Sequence, residues 1–314
     1  MSVSILVATE IRELLSVPLD DFVVEWIATE EDTPAGAYAA LVSLLSREVC
    51  AADMDALPDL EIVANVATGY DNVDLQAAAK RGIVVTNTPD VLTESTADLT
   101  LALILAVSRR LKEGIKIVES GEWKGWHPTQ LLGLELQDCT VGIVGAGRIG
   151  RAVARRLAGF GPTILYTSLT PKPDLDREYG ARAVSLYELL AASDVVSLHL
   201  PLDSGTRGII GKEELAAMKP GSIIINTARG ALIREEHLIA ALASGRIGGA
   251  GLDVFPDEPL VQQELIDHPR VVTLPHIGSA TTATRSAMAN LAVKNVIEVL
   301  SGRPALTPVA LTGG

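Results

Sequence analysis

Short runs rich in Val, Ile and Leu recur along the chain and alternate with segments whose apolar residues have helical spacing. Nine of these runs predict strands, at Ile5–Ala8, Glu61–Val66, Ile83–Thr86, Thr140–Val144, Thr163–Thr167, Asp194–Leu198, Ser222–Asn226, Ala250–Asp253 and Val271–Leu274. Most runs are almost continuously apolar, which is typical of strands that helices cover on both faces of a parallel sheet. Because helical patterns such as Arg148–Ala158 and Glu235–Ser244 lie between them, the sequence predicts a doubly wound α/β fold.

Size and charge exclude several classes of function. The chain has 314 residues, enough for two domains, and a formal net charge of −13. Binding to nucleic acid or to an anionic membrane surface needs clustered Lys and Arg, so this charge disfavours both partners. The most apolar stretch, Leu99–Val107, is shorter than the roughly 20 residues of a membrane span and predicts one long buried helix. We therefore expect a cytoplasmic protein that binds neither nucleic acid nor membrane.

The two cysteines, Cys50 and Cys139, have neither metal-ligand nor redox spacing. We interpret both as small buried hydrophobic residues in a reducing compartment, and we expect no metal site. The first ten residues lack the pattern of a secretory signal, and Ile5–Ala8 is interpreted as the opening strand.

No linker rich in Gly, Ser or Pro marks a domain boundary. Breaks are predicted near Glu94–Asp98 and after Ala280, which gives one domain from residues 1–97 plus 281–314 and another from residues 98–280. Helical periodicity over Thr281–Ser301 predicts a final helix that returns to the first domain.

A glycine-rich motif directly follows the strand predicted at Thr140–Val144. Gly145, Gly147 and Gly150 have the G-x-G-x-x-G spacing and precede an amphipathic helix, which is the context of a dinucleotide site. The first glycine permits the tight turn, the second lets the backbone approach a pyrophosphate, and the third allows close packing of helix and strand. The helix N-terminus at Arg148 offers free N–H groups to that pyrophosphate. A glycine-rich turn without a ligand is the alternative.

The turn after Thr163–Thr167 bears on the choice of cofactor. An acidic residue there would bind the adenosine ribose of NAD, but the turn contains none. Ser168, Thr170 and Lys172 could bind a 2′-phosphate, so the sequence favours NADP over NAD. Because the turn also lacks an arginine, NAD remains open.

Three loops that follow predicted strands carry the candidate catalytic residues Arg229, Glu258 and His276. Ligands bind beyond the carboxyl ends of the strands of an open parallel sheet, so the three loops can converge. A guanidinium can bind a carboxylate and polarise a carbonyl, an imidazole can donate a proton near neutral pH, and a carboxylate can orient that imidazole. This set predicts reduction of a 2-oxo acid. Taken alone, Arg229 could be a surface charge and His276 could be a structural residue. Asp253 could either brace a loop or contact the cofactor.

Several motifs are similar to those of one family, the D-isomer-specific 2-hydroxyacid dehydrogenases, and the similarity covers essentially the whole chain. Within this family the chain most resembles the glyoxylate/hydroxypyruvate reductases. The matching stretches are Val66–Asp74, Gly82–Asp98, Thr140–Gly150, Asn226–Gly230, Gly251–Phe255 and Pro275–Thr281, with Thr88–Thr93 and Trp126–Pro128 pointing to the reductases.

The resemblance implies a Rossmann-like coenzyme domain in the middle of the chain and a smaller, flavodoxin-like α/β substrate domain built from both ends. The active site is then expected in the cleft between the domains. Arg229 matches the substrate-binding arginine, Glu258 the glutamate paired with histidine, and His276 the proton donor. Ala67, Thr68 and Gly69 match a loop whose N–H groups bind the substrate carboxylate. Matches to cofactor-binding positions are Arg148, Ile149, Leu200, Pro201, Thr206, Thr227, Ala228, Asp253, His276 and Gly278.

The resemblance also implies a homodimer, in which Trp126 matches a tryptophan that lines the partner's substrate pocket. Burial in the dimer interface alone is the other interpretation of Trp126. Leu169 departs from the family, because NADP-preferring members usually have an arginine there. Two alternatives stay open, namely a dehydrogenase for phosphoglycerate or a bulkier 2-oxo acid, and a dinucleotide-sensing binding protein of the same fold. Formate oxidation is disfavoured, since relatives with that activity have glutamine where this chain has Glu258.

Overall fold

The computed structural model describes residues 3–310, which form strands and helices in near-strict alternation. The strands are β1 (Val3–Ala8), β2 (Phe22–Ile27), β3 (Ala40–Leu44), β4 (Ile62–Val66), β5 (Val84–Thr86), β6 (Thr140–Val144), β7 (Thr163–Thr167), β8 (Arg182–Ala183), β9 (Val195–Leu198), β10 (Ser222–Asn226), β11 (Ile247–Leu252) and β12 (Val271–Thr273). The helices are α1 (Ala51–Ala56), α2 (Leu75–Arg81), α3 (Thr93–Ser108), α4 (Leu111–Glu119), α5 (Arg148–Ala158), α6 (Pro173–Tyr179), α7 (Leu186–Ala192), α8 (Lys212–Ala217), α9 (Glu235–Ala243), α10 (Gln263–Asp267) and α11 (Thr282–Leu300).

The chain divides into two compact units, Met1–Leu92 with Ala280–Gly314, and Thr93–Ser279. Residues 1–2 and 311–314 lie outside the described residues. The boundaries expected from the sequence, at 97/98 and 280/281, come slightly later than these divisions. The first differs because α3 already begins at Thr93 and runs on through residue 97.

The first unit is built on a parallel sheet with the order β2-β1-β3-β4-β5, which is the flavodoxin-like order. Successive side chains of β1 pack on opposite faces. Ile5 and Val7 contact a core that includes Met288 and Val296 of α11, whereas Leu6 contacts a core on the other face that includes Met54 of α1. Burial on both faces explains why the central strands are continuously apolar.

The second unit contains a seven-stranded parallel sheet with the order β12-β11-β10-β9-β6-β7-β8. The strand order reverses between β6 and β9, and at such a switch point the two neighbouring loops leave a crevice for a ligand. Helices α3 and α5 pack on one face through residues such as Leu103 and Leu157, and α7 and α9 pack on the other through Leu189 and Leu238. The predicted doubly wound parallel fold with a second α/β domain is therefore confirmed.

Three strands are absent from the sequence-based prediction. In β2, an edge strand, the exposed Glu25 interrupts the apolar residues, so the segment is not continuously apolar. In β3 the apolar run is interrupted by Ser43, and β8 has only two residues, both exposed. β11 also begins three residues before the predicted start, at Ile247, because the strand includes Gly248 and Gly249, which carry no strand signal.

Helix α3 corrects a further expectation. The apolar stretch Leu99–Val107 is helical, but the helix is buried on one face only, since Leu103 and Ile104 are buried whereas Ala102 is exposed. Cys139 is buried and Cys50 is half-buried. Among residues 3–310, no helix has both the length and the apolar character needed to cross a membrane.

Candidate active site

The loop that carries Arg229 lies against the loop that carries Glu258. Arg229 follows β10 and precedes a short 3-10 turn that begins at Gly230. A Cβ built on Gly230 would stand 1.9 Å from the carbonyl carbon of Phe255, so only glycine permits this approach of two backbones. Glu258 is three residues beyond Phe255. The contact at Gly230 therefore brings the two candidate catalytic residues into one region of the second unit.

His276 and Glu258 form a hydrogen-bonded pair. The Nδ1 atom of His276 lies 2.8 Å from Oε2 of Glu258, and Oε1 of the same carboxylate accepts from the Phe255 N–H at 3.0 Å. Partial burial would raise the pKa of Glu258, but the hydrogen bond and charge of His276, the Phe255 N–H and the charge of Arg229 together hold this pKa below its ordinary value. Glu258 is therefore an ionised carboxylate at neutral pH.

The ionisation of Glu258 determines the arrangement of protons on His276. An ionised carboxylate can only accept hydrogen bonds, so Nδ1 of the imidazole carries the hydrogen that lies between the two residues. The other ring nitrogen, Nε2, is then the one available to hold or transfer a proton. About a third of each side chain is exposed, 32% for His276 and 37% for Glu258, so a reacting molecule can reach this pair.

Asp253 fixes the backbone of the His276 loop. Its carboxylate is fully buried and accepts from the N–H groups of Ile277 and Gly278, both at 2.8 Å, while its carbonyl oxygen accepts from the His276 N–H at 2.9 Å. Burial raises the pKa of Asp253, although the two N–H groups and the charge of His276 act in the opposite direction. With all these bonds made, His276 has a φ of 53°, a left-handed conformation that is uncommon for residues with a side chain.

Two buried threonines of α3 contact the neighbouring loops, and the sequence analysis did not identify them. The Thr96 hydroxyl donates to the Gly278 carbonyl oxygen at 3.2 Å, and the hydroxyl oxygens of Thr100 and Thr227 are 2.8 Å apart. Thr100 also donates to the Thr96 carbonyl oxygen at 2.8 Å. The available signal was a pair of threonines four residues apart in a predicted helix, which places both on one helix face.

Asn226 is a second residue that the sequence analysis did not single out as a site residue. Its side-chain amide donates to the Arg229 carbonyl oxygen at 2.8 Å, and its Oδ1 accepts from the Ala228 N–H at 3.0 Å. The side chain thus closes the turn that presents Arg229. An asparagine at the end of a buried strand, where apolar residues precede it, was the signal available.

The three glycines of the dinucleotide motif have the steric roles that the sequence predicts. Gly145 has a φ of +100°, and a Cβ on it would lie 2.7 Å from the carbonyl oxygen of His199. A Cβ on Gly150 would lie 2.2 Å from the Gly145 carbonyl oxygen, whereas one on Gly147 would meet nothing within 4 Å. Space therefore opens beside Gly147, the N-cap of α5.

This open space fits the pyrophosphate of a dinucleotide. Helix α5 begins at Arg148 and Ile149, and its N-cap is a glycine, so no side chain of the N-cap residue covers the first N–H groups. Those N–H groups and the positive end of the helix dipole favour an anion at this position. The same turn contacts the next loop of the sheet, since a Cβ on Gly145 would lie 2.9 Å from the Leu200 side chain.

Other residues predicted to bind the cofactor lie in two loops at the same edge of the sheet. After β7, Lys172 Nζ donates to the Thr170 hydroxyl at 2.7 Å, and Leu169 is fully exposed. After β9, the Thr206 hydroxyl donates to the Pro201 carbonyl oxygen at 2.7 Å, so this hydroxyl is engaged within its own loop. Ser168 is half-buried at the end of β7.

His199 is a histidine at a strand end that has different chemistry from His276. It follows β9, and its Nε2 lies 2.9 Å from the Ser197 hydroxyl. Burial lowers the pKa of His199 to about 3, so its imidazole is neutral at physiological pH. A neutral, enclosed imidazole is a poor proton donor, which leaves His276 as the candidate acid.

The remaining predicted site residues belong to two different units of the chain. Ala67, Thr68 and Gly69 belong to the first unit and follow β4 directly; Ala67 is buried, and the other two are half-buried. Trp126 belongs to the second unit, in the irregular segment between α4 and β6, and its side chain is 83% exposed.

Comparison with known proteins identifies the family. Residues 101–278 match the model of the D-isomer specific 2-hydroxyacid dehydrogenase, NAD binding domain. The chain belongs to the D-isomer-specific 2-hydroxyacid dehydrogenases. It is an NAD(P)-dependent oxidoreductase of this family, as its resemblance in sequence implied.

Similar proteins cover nearly the whole chain. A glyoxylate reductase from Thermococcus litoralis is 51% identical over 267 residues, which span 84% of this chain and 81% of that protein. A glyoxylate reductase from Pyrococcus horikoshii is 44% identical over 314 residues, covering 96% of this chain and 94% of that protein. This chain is also similar to the crystal structure of an NADPH-dependent glyoxylate/hydroxypyruvate reductase from Sinorhizobium meliloti in complex with NADP and malonate. The TM-score is 0.89 and the sequence identity is 38%, with 99% of this chain and 98% of that one covered.

The geometry at Gly145 generates a prediction about cofactor binding. Gly145→Ala should weaken NADPH binding at least about tenfold, because the added Cβ forces the turn away from His199 and displaces the N–H groups at the start of α5. Gly180→Ala is the matched control, since Gly180 also has a positive φ, +61°, but its Cβ would meet nothing within 4 Å. The control should lose roughly 1 kcal/mol of stability and keep its affinity. Fluorescence titration with NADPH measures the affinity of each variant, and equal affinities for the two variants would contradict the assignment.

Proposed function

We propose that this protein is a glyoxylate/hydroxypyruvate reductase, which reduces a small 2-oxo acid to the D-2-hydroxy acid with NADPH or NADH. The observation that carries the proposal is the His276–Glu258 pair, with Nδ1 and Oε2 2.8 Å apart and Arg229 close enough to lower the pKa of Glu258. The glyoxylate reductases that are 51% and 44% identical support this choice of substrate. In this proposal the first unit binds substrate and the second binds the dinucleotide.

Substrate binding is assigned to Arg229 and to the loop of Ala67, Thr68 and Gly69. A guanidinium presents fixed donors and a permanent charge, which suit a carboxylate and the adjacent carbonyl oxygen. Backbone N–H groups of the loop supply further donors to the carboxylate without adding charge. Local donors of this kind let a chain with a net charge of −13 bind an anionic substrate.

Proton transfer is assigned to His276. Glu258 holds the Nδ1–H and stabilises the charged imidazole, so the proton that moves to the substrate carbonyl oxygen comes from Nε2. The reduced nicotinamide supplies the hydride when it is bound. The product is the 2-hydroxy acid, and His276 is left neutral until it takes up a proton from solvent. Arg229 keeps the carboxylate and carbonyl oriented while this happens.

Dinucleotide binding is assigned to the loops at the carboxyl edge of the second sheet. The proposed contacts are Gly145, Gly147, Arg148, Ile149, Gly150, Leu200, Pro201, Thr206, Thr227, Ala228, Asp253, His276 and Gly278. Since the Asp253 carboxylate is buried and bonded to the His276 loop, its part in cofactor binding is to fix that loop. Ser168, Thr170 and Lys172 would bind the 2′-phosphate of NADP, and Lys172 already contacts Thr170.

A homodimer is proposed from an exposed apolar surface on the second unit. Leu111, Ile115 and Val118 lie on one face of α4 and are 48%, 55% and 63% exposed. Trp123 and Trp126, in the segment that follows, are 58% and 83% exposed. Large exposed apolar side chains close together in sequence, with two tryptophans among them, are typical of a protein–protein interface. In the proposed dimer, Trp126 reaches the substrate pocket of the partner subunit.

Steady-state kinetics test the function directly. Glyoxylate and hydroxypyruvate should be reduced with a higher kcat/KM than pyruvate, and NADPH should be preferred over NADH. His276→Asn should lower kcat about a hundredfold or more, as expected for a lost general acid. Cofactor binding without reduction of any of the three acids would instead favour a dinucleotide-sensing protein.

The pairing of Glu258 with His276 generates a prediction about turnover. Glu258→Gln should lower kcat about tenfold or more, because the neutral amide no longer holds the imidazole with a charge-assisted hydrogen bond. Asp257→Asn is the control and should keep kcat within about twofold, because it removes a neighbouring carboxylate for which no hydrogen bond to His276 is found among residues 3–310. Steady-state kinetics with glyoxylate at saturating NADPH measure both variants, and an unchanged kcat in Glu258→Gln would refute the pairing.

The apolar surface of α4 generates a prediction about assembly. The double variant Ile115→Asp, Val118→Asp should be a monomer by light scattering, because two buried carboxylates at an apolar interface are costly. Lys116→Asp, on an exposed part of the same helix, should remain a dimer. If the unsubstituted chain is itself a monomer at micromolar concentration, the dimer proposal is wrong.

A further inference from the structure

The loop after β4 has its carbonyl oxygens bound from within the first unit. The Ala67 carbonyl accepts from the Thr88 N–H at 2.7 Å, and the Thr68 carbonyl accepts from the side-chain amide of Asn87 at 2.7 Å. The Gly69 carbonyl accepts from the side-chain amide of Asn65 at 3.0 Å. Three successive carbonyls are thus each held by a separate donor.

Planarity of the peptide group determines where the N–H groups of this loop point. In a trans peptide the carbonyl and the following N–H are directed to opposite sides. The N–H groups of Thr68, Gly69 and Tyr70 are therefore directed away from the donors that hold the preceding carbonyls. Within the described part of the chain, no hydrogen bond to these three N–H groups is found. Backbone N–H groups without a partner in the chain are strong donors that an anion can use.

The two asparagines that hold these carbonyls are themselves firmly placed. Asn65 is fully buried in β4 and exchanges hydrogen bonds with Asn72, whose amide donates to the carbonyl oxygens of Leu44 and Arg47 at 3.1 and 2.8 Å. A side-chain amide has two N–H donors and a carbonyl acceptor, so each asparagine can donate and accept at the same time. The Asn65–Asn72 pair therefore joins the loop to the end of β3.

Asn87 is fixed through its backbone. Its N–H donates to the Thr307 carbonyl oxygen at 3.3 Å, and its carbonyl oxygen accepts from the Thr307 hydroxyl at 2.6 Å. Thr307 is in turn held by Asn295 of α11, whose Oδ1 accepts from the Thr307 N–H at 3.0 Å. With the backbone held on both sides, the Asn87 side chain can position the Thr68 peptide instead of following it.

We propose that Asn87 and Asn65 are positioning residues for substrate binding. By holding the carbonyls of Thr68 and Gly69, they direct the N–H groups of Gly69 and Tyr70 toward the substrate carboxylate. The Thr68 N–H is set in the same way by the bond from the Thr88 N–H to the Ala67 carbonyl. The inference rests on the proposed function. Neither asparagine touches the substrate. Each acts through a carbonyl oxygen, and the requirement is for a neutral donor, since a carboxylate at either position would repel the carbonyl that it faces.

Asn87 is the better position for a test, because it is half-buried whereas Asn65 is in the core. Asn87→Ala and the isosteric Asn87→Asp both remove the donor to the Thr68 carbonyl oxygen. Asn290→Ala is the matched control, since Asn290 also holds a loop of the first unit, with its Oδ1 accepting from the N–H groups of Ser16 and Val17 at 2.9 and 2.8 Å. The measurements are kcat and KM for glyoxylate at saturating NADPH, the Kd of NADPH, and the Kd of oxalate for the NADPH-loaded protein.

The proposal expects a change in substrate affinity alone. In both Asn87 variants KM for glyoxylate and the Kd of oxalate should rise about tenfold or more, while kcat and the Kd of NADPH stay within about twofold. Asn290→Ala should leave all four unchanged. Asn87→Asp adds a pH signature that a purely structural role would not give. Its KM relative to wild type should fall as pH is lowered, because the protonated carboxyl regains an O–H donor, whereas the ratio for Asn87→Ala should stay constant.

Unchanged KM and oxalate affinity in both Asn87 variants would overturn the proposal, as would equal losses in Asn290→Ala. Failure of the proposed function has a different appearance, namely a wild-type protein that reduces none of the 2-oxo acids. In that case the binding of oxalate to the wild type and to the Asn87 variants still tests the loop, since it requires no turnover.

Discussion

The buried carboxylate of Asp253 is the interaction on which the loop that carries His276 depends. Its two oxygens accept from consecutive N–H groups, those of Ile277 and Gly278, and this holds His276 in a left-handed conformation. A positive φ is costly for a residue with a side chain unless the surroundings enforce it. In this conformation the imidazole is hydrogen-bonded to Glu258. Without the Asp253 carboxylate, the backbone of the loop that carries His276 would lose these two hydrogen bonds.

The neighbouring loops are fixed in a similar way, by single buried residues. Asn226 closes the Arg229 turn, Gly230 lets that turn approach the Glu258 loop, and Thr96 contacts the Gly278 carbonyl from α3. In each case a buried polar group or a missing side chain fixes the backbone of a loop that carries one of the proposed catalytic residues. Loops at the carboxyl edge of a rigid parallel sheet can therefore hold reactive groups with little freedom of their own.

Sequence reasoning could predict those parts of the fold and site that leave a pattern in adjacent residues. The continuous apolar strands, the glycine spacing from Gly145 to Gly150 and the polar residues at strand ends all have local signatures. β8 left none, because it has only two residues, both exposed, and in β2 the exposed Glu25 interrupts the apolar residues. Asp253 accepts from the N–H groups of Ile277 and Gly278, which lie 24 and 25 positions further along the chain. Spacing in the sequence could not predict this pairing, since only the folded sheet brings β11 and β12 together.

Asparagine is the residue that sequence reasoning undervalued most. Asn65, Asn87 and Asn226 all stand at or just beyond the carboxyl end of a strand, and each donates its amide to a backbone carbonyl oxygen. A motif identifies the residue that faces a ligand, but it does not say what holds that residue's backbone. Since a peptide whose carbonyl is held has its N–H directed to the other side, the donors behind a loop help to set the direction of the loop's N–H groups. The amide suits this task because it donates hydrogen bonds without adding a charge.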